Sequence, residues 1–209
     1  MTNILIKKLY FDKIKFVTSE ELKNYSKLLE IDFRKTLNYL LTKGYLIRIF
    51  KGIFYVKSLD EKKFNELKFT PFEIVAKGLE LKKVKNWYFG SYTALKLNNL
   101  TYESTNINYI INDELFRRKP INILGYKFKF IKIKEKLLSF GIIKRGKIKY
   151  SDPEKTILDL IYLWKYNGVE KERIIMNASE LVEKVSKSKL REYSKFYPKT
   201  VQMIIEEIL

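Results

Sequence analysis

The order of elements in the first 57 residues constrains the fold of this chain more than any other feature of its sequence. Three helical patterns come first. Hydrophobic spacing predicts a helix over 4–13, a second that begins near Ser19, and a third over 33–43. Thr18 and Ser19 carry hydroxyls that cap helix N-termini, and Gly44 follows the third pattern, where a left-handed residue ends a helix.

Two β-rich runs follow these patterns, and only two residues separate them. The runs cover 45–50 and 53–56, and Lys51-Gly52 between them is a connection that closes a tight hairpin. Two helices, a short turn, a third helix and a hairpin make up a winged helix-turn-helix, in which one helix enters the major groove of DNA. We therefore predict a DNA-binding domain of this type over 1–57.

The third helix is the predicted recognition helix. Its apolar face consists of Phe33, Leu37, Leu40 and Leu41. On the opposite face, Arg34 and Asn38 can read base edges, whereas the lysines and the hairpin cations suit phosphates. Two alternatives remain open, namely an ordinary solvated face and a domain that contacts protein. The predicted DNA-binding residues are Arg34, Lys35, Asn38, Tyr39, Thr42, Lys43, Arg48 and Lys51.

The charge of the chain indicates a polyanionic partner. Lys and Arg total 42 against 24 Asp and Glu, which gives a net charge of +18. The excess is uneven: residues 1–57 carry twelve basic and five acidic side chains, residues 58–150 twenty and nine, and residues 151–209 ten of each. A general preference for lysine is the alternative explanation, but it would spread the charge evenly along the chain. The distribution therefore favours an anionic partner.

Beyond residue 57 we predict a linker over 58–69 and an α+β domain over 70–209. β-rich runs between 106 and 150 predict a mainly antiparallel sheet with one basic face, and helical patterns follow Ser151 to the C-terminal residue. The cations of the sheet either form a second surface for nucleic acid or acidic protein, or prevent edge pairing. These residues are Arg117, Arg118, Lys127, Lys129, Lys144, Arg145 and Lys147.

The composition narrows the chemistry that this chain can perform. It contains no histidine and no cysteine, which excludes Cys and His metal sites, thiol nucleophiles and histidine-based catalysis. We expect neither an enzyme nor a cofactor. The segments 60–63 and 80–82 combine carboxylates with lysine, as the active sites of metal-dependent nucleases do. This alternative is less favoured, because such spacings arise by chance in a chain this rich in charge.

We expect a soluble, cytoplasmic protein with no membrane partner. The longest stretch without a charged residue is 86–95, far below the roughly 20 apolar residues that a membrane span needs. The N-terminal sequence also lacks the apolar region and the cleavage site of a signal peptide.

Three segments in this order resemble the AbiEi-type antitoxins of type IV toxin–antitoxin systems. They are the winged helix with its hairpin, the block 88–95 together with Leu100, and the block 151–156 together with Asp159. The resemblance implies that the N-terminal domain binds inverted repeats in its own promoter. It also implies that the C-terminal domain neutralises a nucleotidyltransferase toxin. A standalone winged-helix regulator or adaptor with no toxin partner is the alternative.

Overall fold

The computed structural model describes residues 4–103 and 105–209, and the chain divides into two compact units. The first unit runs to Lys85 and includes Ile123–Gly125, and the second comprises Asn86–Asn122 and Tyr126–Leu209. Both units combine helices with strands, which confirms the predicted α+β class. Within the described ranges, no helix has the length and apolar character that crossing a membrane requires.

The first unit begins with three helices and three strands, and helix caps determine where the second and third helices begin. The Thr18 hydroxyl accepts the backbone N–H of Glu21, whose carboxylate accepts the N–H of Thr18. Asp32 caps the third helix by accepting the N–H of Lys35 at 2.7 Å. The elements are α1 (Ile4–Phe11), β1 (Phe16–Thr18), α2 (Ser19–Leu28), α3 (Phe33–Thr42), β2 (Leu46–Phe50) and β3 (Ile53–Val56).

The three strands form an antiparallel sheet in the order β1-β3-β2. Val17 of β1 pairs with Phe54 of β3, and Leu46 of β2 pairs with Val56. The sequence does not predict β1, because a strand of three residues shows no detectable alternation. The helices cover this sheet and build one core from Leu5, Ile6, Leu9, Val17, Leu22, Leu40, Leu46, Phe54 and Val56.

Two further helices belong to the first unit, α4 (Leu59–Phe64) and α5 (Pro71–Leu81). The predicted linker over 58–69 therefore contains a helix. The boundary between the units lies after Lys85 rather than at residue 70.

Close packing of α5 against β2 explains why this helix belongs to the first unit. A Cβ added to Gly78 of α5 would lie 2.7 Å from the side chain of Ile49 and 2.8 Å from that of Phe50, both on β2. Such an approach is open only to glycine. Because the partners of α5 are distant in sequence, its own capping signals at Thr70 and Glu73 predict the helix but not the unit that it joins.

Except for Ile123, the last residue of β6, a six-stranded sheet belongs to the second unit, and four helices follow its last strand along the chain. Its sheet order is β6-β7-β5-β4-β9-β8. The elements are β4 (Trp87–Phe89), α6 (Ser91–Leu97), β5 (Ile107–Asn112), β6 (Ile121–Ile123), β7 (Tyr126–Lys132), β8 (Ile142–Arg145), β9 (Ile148–Ser151), α7 (Pro153–Tyr166), α8 (Lys171–Val182), α9 (Lys187–Ser194) and α10 (Lys199–Ile208).

This sheet is mixed, which corrects the prediction of a mainly antiparallel one. β4 pairs with β5 and β8 with β9 in antiparallel fashion, whereas β5 pairs with β7 and β4 with β9 in parallel fashion. The β5–β7 pairing extends over six residue pairs, from Ile107 opposite Lys127 to Asn112 opposite Lys132. Hydrophobic alternation reveals that a segment is a strand but not the direction of its neighbour, so the sequence could not distinguish the two arrangements.

A buried ion pair lies in the core of the second unit. The Lys155 ammonium is fully buried and donates to the Leu137 carbonyl at 2.5 Å, to the Tyr197 hydroxyl at 3.2 Å and to the Asp159 carboxylate at 3.4 Å. Asp159 also accepts the hydroxyls of Tyr88 at 2.6 Å and Tyr197 at 2.7 Å. Burial lowers the pKa of Lys155, and the Asp159 carboxylate opposes that shift.

We predict that Lys155→Met lowers the free energy of unfolding by about 3–5 kcal/mol, because it leaves the Asp159 carboxylate buried without its counter-charge. Urea unfolding followed by circular dichroism measures the loss. Lys165→Met on the exposed part of the same helix is the control and should cost less than about 1 kcal/mol. Equal stability of the two variants would contradict the assigned role of the pair.

Candidate nucleic-acid interface

The structure brings the predicted DNA-binding residues together on two neighbouring elements of the first unit. Six of them lie on or just after α3, and two lie on the β2–β3 hairpin. All eight side chains are exposed: Arg34, Lys35, Asn38, Tyr39, Thr42, Lys43, Arg48 and Lys51.

The buried face of α3 determines which residues point outward. Thr36 and Leu40 are the buried residues of this helix, and Phe33, Leu37 and Leu41 pack at the edge of the same core. The predicted apolar residues therefore face the core, and Thr36, one turn before Leu40, is buried with them. Residues on the opposite face are left for solvent or a ligand.

The hairpin has a tip of two residues, as predicted. Gly52 has a φ of +78°, a conformation that favours glycine, and its carbonyl accepts the backbone N–H of Ser19 at 2.8 Å. This hydrogen bond fastens the tip beside the N-terminus of α2. The Arg48 guanidinium lies 5.9 Å from the centre of the Phe54 ring, next to an irregularity in the β2–β3 pairing.

Two residues beside α3 were missed by the sequence prediction. The ring of Tyr45 stacks on that of Tyr39 with 6.5 Å between centroids, and the Lys62 ammonium of α4 lies 3.2 Å from the centre of the Tyr45 ring. No pattern in the sequence links these positions, because they come from a helix, the residue before a strand and a segment predicted as linker. Only the folded chain places them in one stack.

A buried carboxylate holds α4 in place. Glu61 accepts the backbone N–H of Ser58 and that of Lys68, each at 2.7 Å, as well as the hydroxyl of Tyr55 on β3. Burial opposes ionisation of Glu61, but these hydrogen bonds hold its pKa below the ordinary value. Burial and the hydrogen bond to the Glu61 carboxylate raise the pKa of Tyr55.

The seven cations of the predicted basic face do not form one patch. Four lie on β7 and in the segment before β6, and three lie on the β8–β9 hairpin, so the groups are at opposite edges of the six-stranded sheet. Strand order in the sheet separates residues that the sequence treats as one surface. The first group is Arg117, Arg118, Lys127 and Lys129, and the second is Lys144, Arg145 and Lys147.

Two of the three carboxylates that imitate a nuclease motif are engaged elsewhere. Glu61 caps and anchors α4, and Glu80 forms an ion pair with Lys77 at 2.6 Å on the surface of α5. Across residues 4–103 and 105–209, no group of three or more acidic side chains is arranged to hold a metal ion.

Comparison with known proteins finds similarity among solved structures. No protein-family model and no curated protein matches the chain. Among solved structures, the RV2827C protein from Mycobacterium tuberculosis matches over 98% of this chain and 74% of its own, with a TM-score of 0.62 and 14% sequence identity. At that identity the match establishes a shared fold.

Proposed function

We propose that this chain is a DNA-binding transcriptional regulator and that the part of its first unit that ends with β3 is a winged helix-turn-helix. The observation that carries the proposal is the placement of the predicted site. All eight residues predicted from the sequence to bind DNA are exposed on α3, just after it, or on the adjoining hairpin. Thr36 and Leu40, on the other face of the helix, are buried. In a winged helix these are the elements that contact the major groove and the backbone.

The charge of these two elements supports the same function. No acidic residue occurs between Phe33 and Phe54, whereas this segment carries the five cations of the predicted surface. The carboxylate before α3, Asp32, accepts the N–H of Lys35 as its cap. A duplex would therefore meet cations and polar side chains on both elements, and binding would release counterions from its phosphates.

We further propose that the regulator is an autorepressing antitoxin that acts in the cytoplasm on a nucleotidyltransferase toxin. This step rests on the resemblance of its sequence blocks to the AbiEi-type antitoxins. The blocks 88–95 and 151–156 supply parts of β4 and α6 and the start of α7 in the second unit. A standalone regulator or adaptor with no toxin is the alternative, and the gene adjacent to this one distinguishes the two.

We predict that the purified protein binds duplex DNA containing the inverted repeats upstream of its own gene. Because several lysines and arginines contact phosphates, log K should fall linearly with log salt, with a slope of about −0.9 for each phosphate contacted. Fluorescence anisotropy at several salt concentrations measures the slope. Affinity that does not change with salt, or no preference for the upstream region over scrambled DNA, would contradict the proposal.

Arg34→Ala and Asn38→Ala should each cost about 1–3 kcal/mol on the cognate duplex and reduce the preference for it, because these side chains read base edges. Lys51→Ala should instead weaken cognate and scrambled duplexes by the same factor. Competition titrations with both duplexes at matched salt make this comparison. Unchanged affinities for both duplexes in the Arg34 and Asn38 variants would show that α3 is not the recognition helix.

The full chain carrying both Arg34→Ala and Asn38→Ala should lose operator binding and still relieve the toxicity of a co-encoded nucleotidyltransferase. The substitutions lie in the first unit, whereas the resemblance assigns neutralisation to the second. Growth of cells that express the toxin with either the wild-type chain or the double variant measures the rescue. Loss of rescue in a folded double variant would contradict this division of labour.

A further inference from the structure

Helix α4 lies beside the proposed DNA-binding surface although it is no part of a helix-turn-helix. Glu61 fixes its position through hydrogen bonds to Tyr55 on β3 and to the backbone on both sides of the helix, at Ser58 and Lys68. The helix is therefore anchored to the sheet that also carries the hairpin. The buried hydrogen bond from Tyr55 to Glu61 therefore determines the orientation of α4.

Anchoring α4 in this way places one cation next to α3. Lys62 follows Glu61 directly, and its ammonium lies 3.2 Å from the centre of the Tyr45 ring. Tyr45 stacks on Tyr39 with an interplanar angle of 25°, and Tyr39 belongs to the exposed face of α3. The charge of Lys62 therefore borders the surface that carries Lys35 and Lys43.

Lys62 is suited to bind an anion from outside the chain. Within the described residues, no carboxylate forms an ion pair with it, and the neighbouring carboxylate of Glu61 is turned into the core. Lys62 is half-buried, and its ammonium rests on an aromatic face, which holds its position but satisfies none of its N–H donors with a strong acceptor. An ammonium held in this way is a ready donor to phosphate oxygen.

We propose that α4 extends the DNA-binding surface and that Lys62 contacts a backbone phosphate next to the groove that α3 enters. This inference rests on the proposed function and adds a contact to it. Tyr45 is a positioning residue, because it holds the ammonium of Lys62 on one face and the ring of Tyr39 on the other. The ligand is the phosphodiester backbone of duplex DNA, so the contact carries no sequence preference.

Lys62→Gln tests the proposal, with Lys77→Gln on α5 as the matched control, because Lys77 is a surface lysine already paired with Glu80. Lys62→Gln should weaken cognate and scrambled duplexes equally, by roughly threefold to tenfold near 0.1 M salt, and reduce the salt slope by about 0.9. Lys62→Arg should restore the slope. Lys77→Gln should bind as the wild-type chain does.

The outcomes separate this inference from the proposed function. If the wild-type chain binds its operator and Arg34→Ala reduces the preference, a wild-type slope in Lys62→Gln overturns the role of α4 alone. If the wild-type chain binds no DNA, both proposals fail. Tyr45→Leu gives a second measurement, because a folded variant without the aromatic face should lose part of the same slope, and an unchanged slope would overturn its positioning role.

Discussion

Burial of Thr36 and Leu40 is the constraint on which the proposed interface depends. An α-helix advances about 100° per residue, so fixing these two positions in the core fixes the direction of every other side chain on α3. Arg34 and Asn38 then face outward together. A rotation of α3 by one residue would bury polar side chains and expose Leu40, at a cost that no surface contact could offset.

Local signals made much of the first unit predictable. Helix caps at Thr18 and Asp32 and the two-residue hairpin tip each depend on only a few neighbouring residues, and α2 and the hairpin tip begin where the sequence predicts them. The missing parts depend on distant partners. Strand β1 is recognisable only through its pairing with β3, and the direction of β7 only through its pairing with β5. The Tyr45–Lys62 contact likewise depends on where α4 packs.

Charged residues that resemble reactive groups serve the fold in both units. Glu61 holds α4, and Lys155 with Asp159 joins α7 to the aromatic side chains around it. In a sequence without histidine or cysteine, such buried ionisable groups invite a chemical interpretation. Their hydrogen bonds account for them structurally instead, because each charge is met by donors or acceptors within the chain. A perturbed pKa here reflects burial and satisfaction of a polar group.

The hydrogen bond from the Ser19 N–H to the Gly52 carbonyl affects how much conformational entropy the hairpin tip can lose when it binds a ligand. Many recognition loops are ordered only when the ligand arrives, and the lost conformational entropy then weakens affinity. Here the hairpin tip is already tied to the start of α2 at 2.8 Å. The chain loses this entropy when it folds, before any duplex is present. In the proposed complex, a preorganised tip would leave the duplex, rather than the protein, to adjust its shape at the contact.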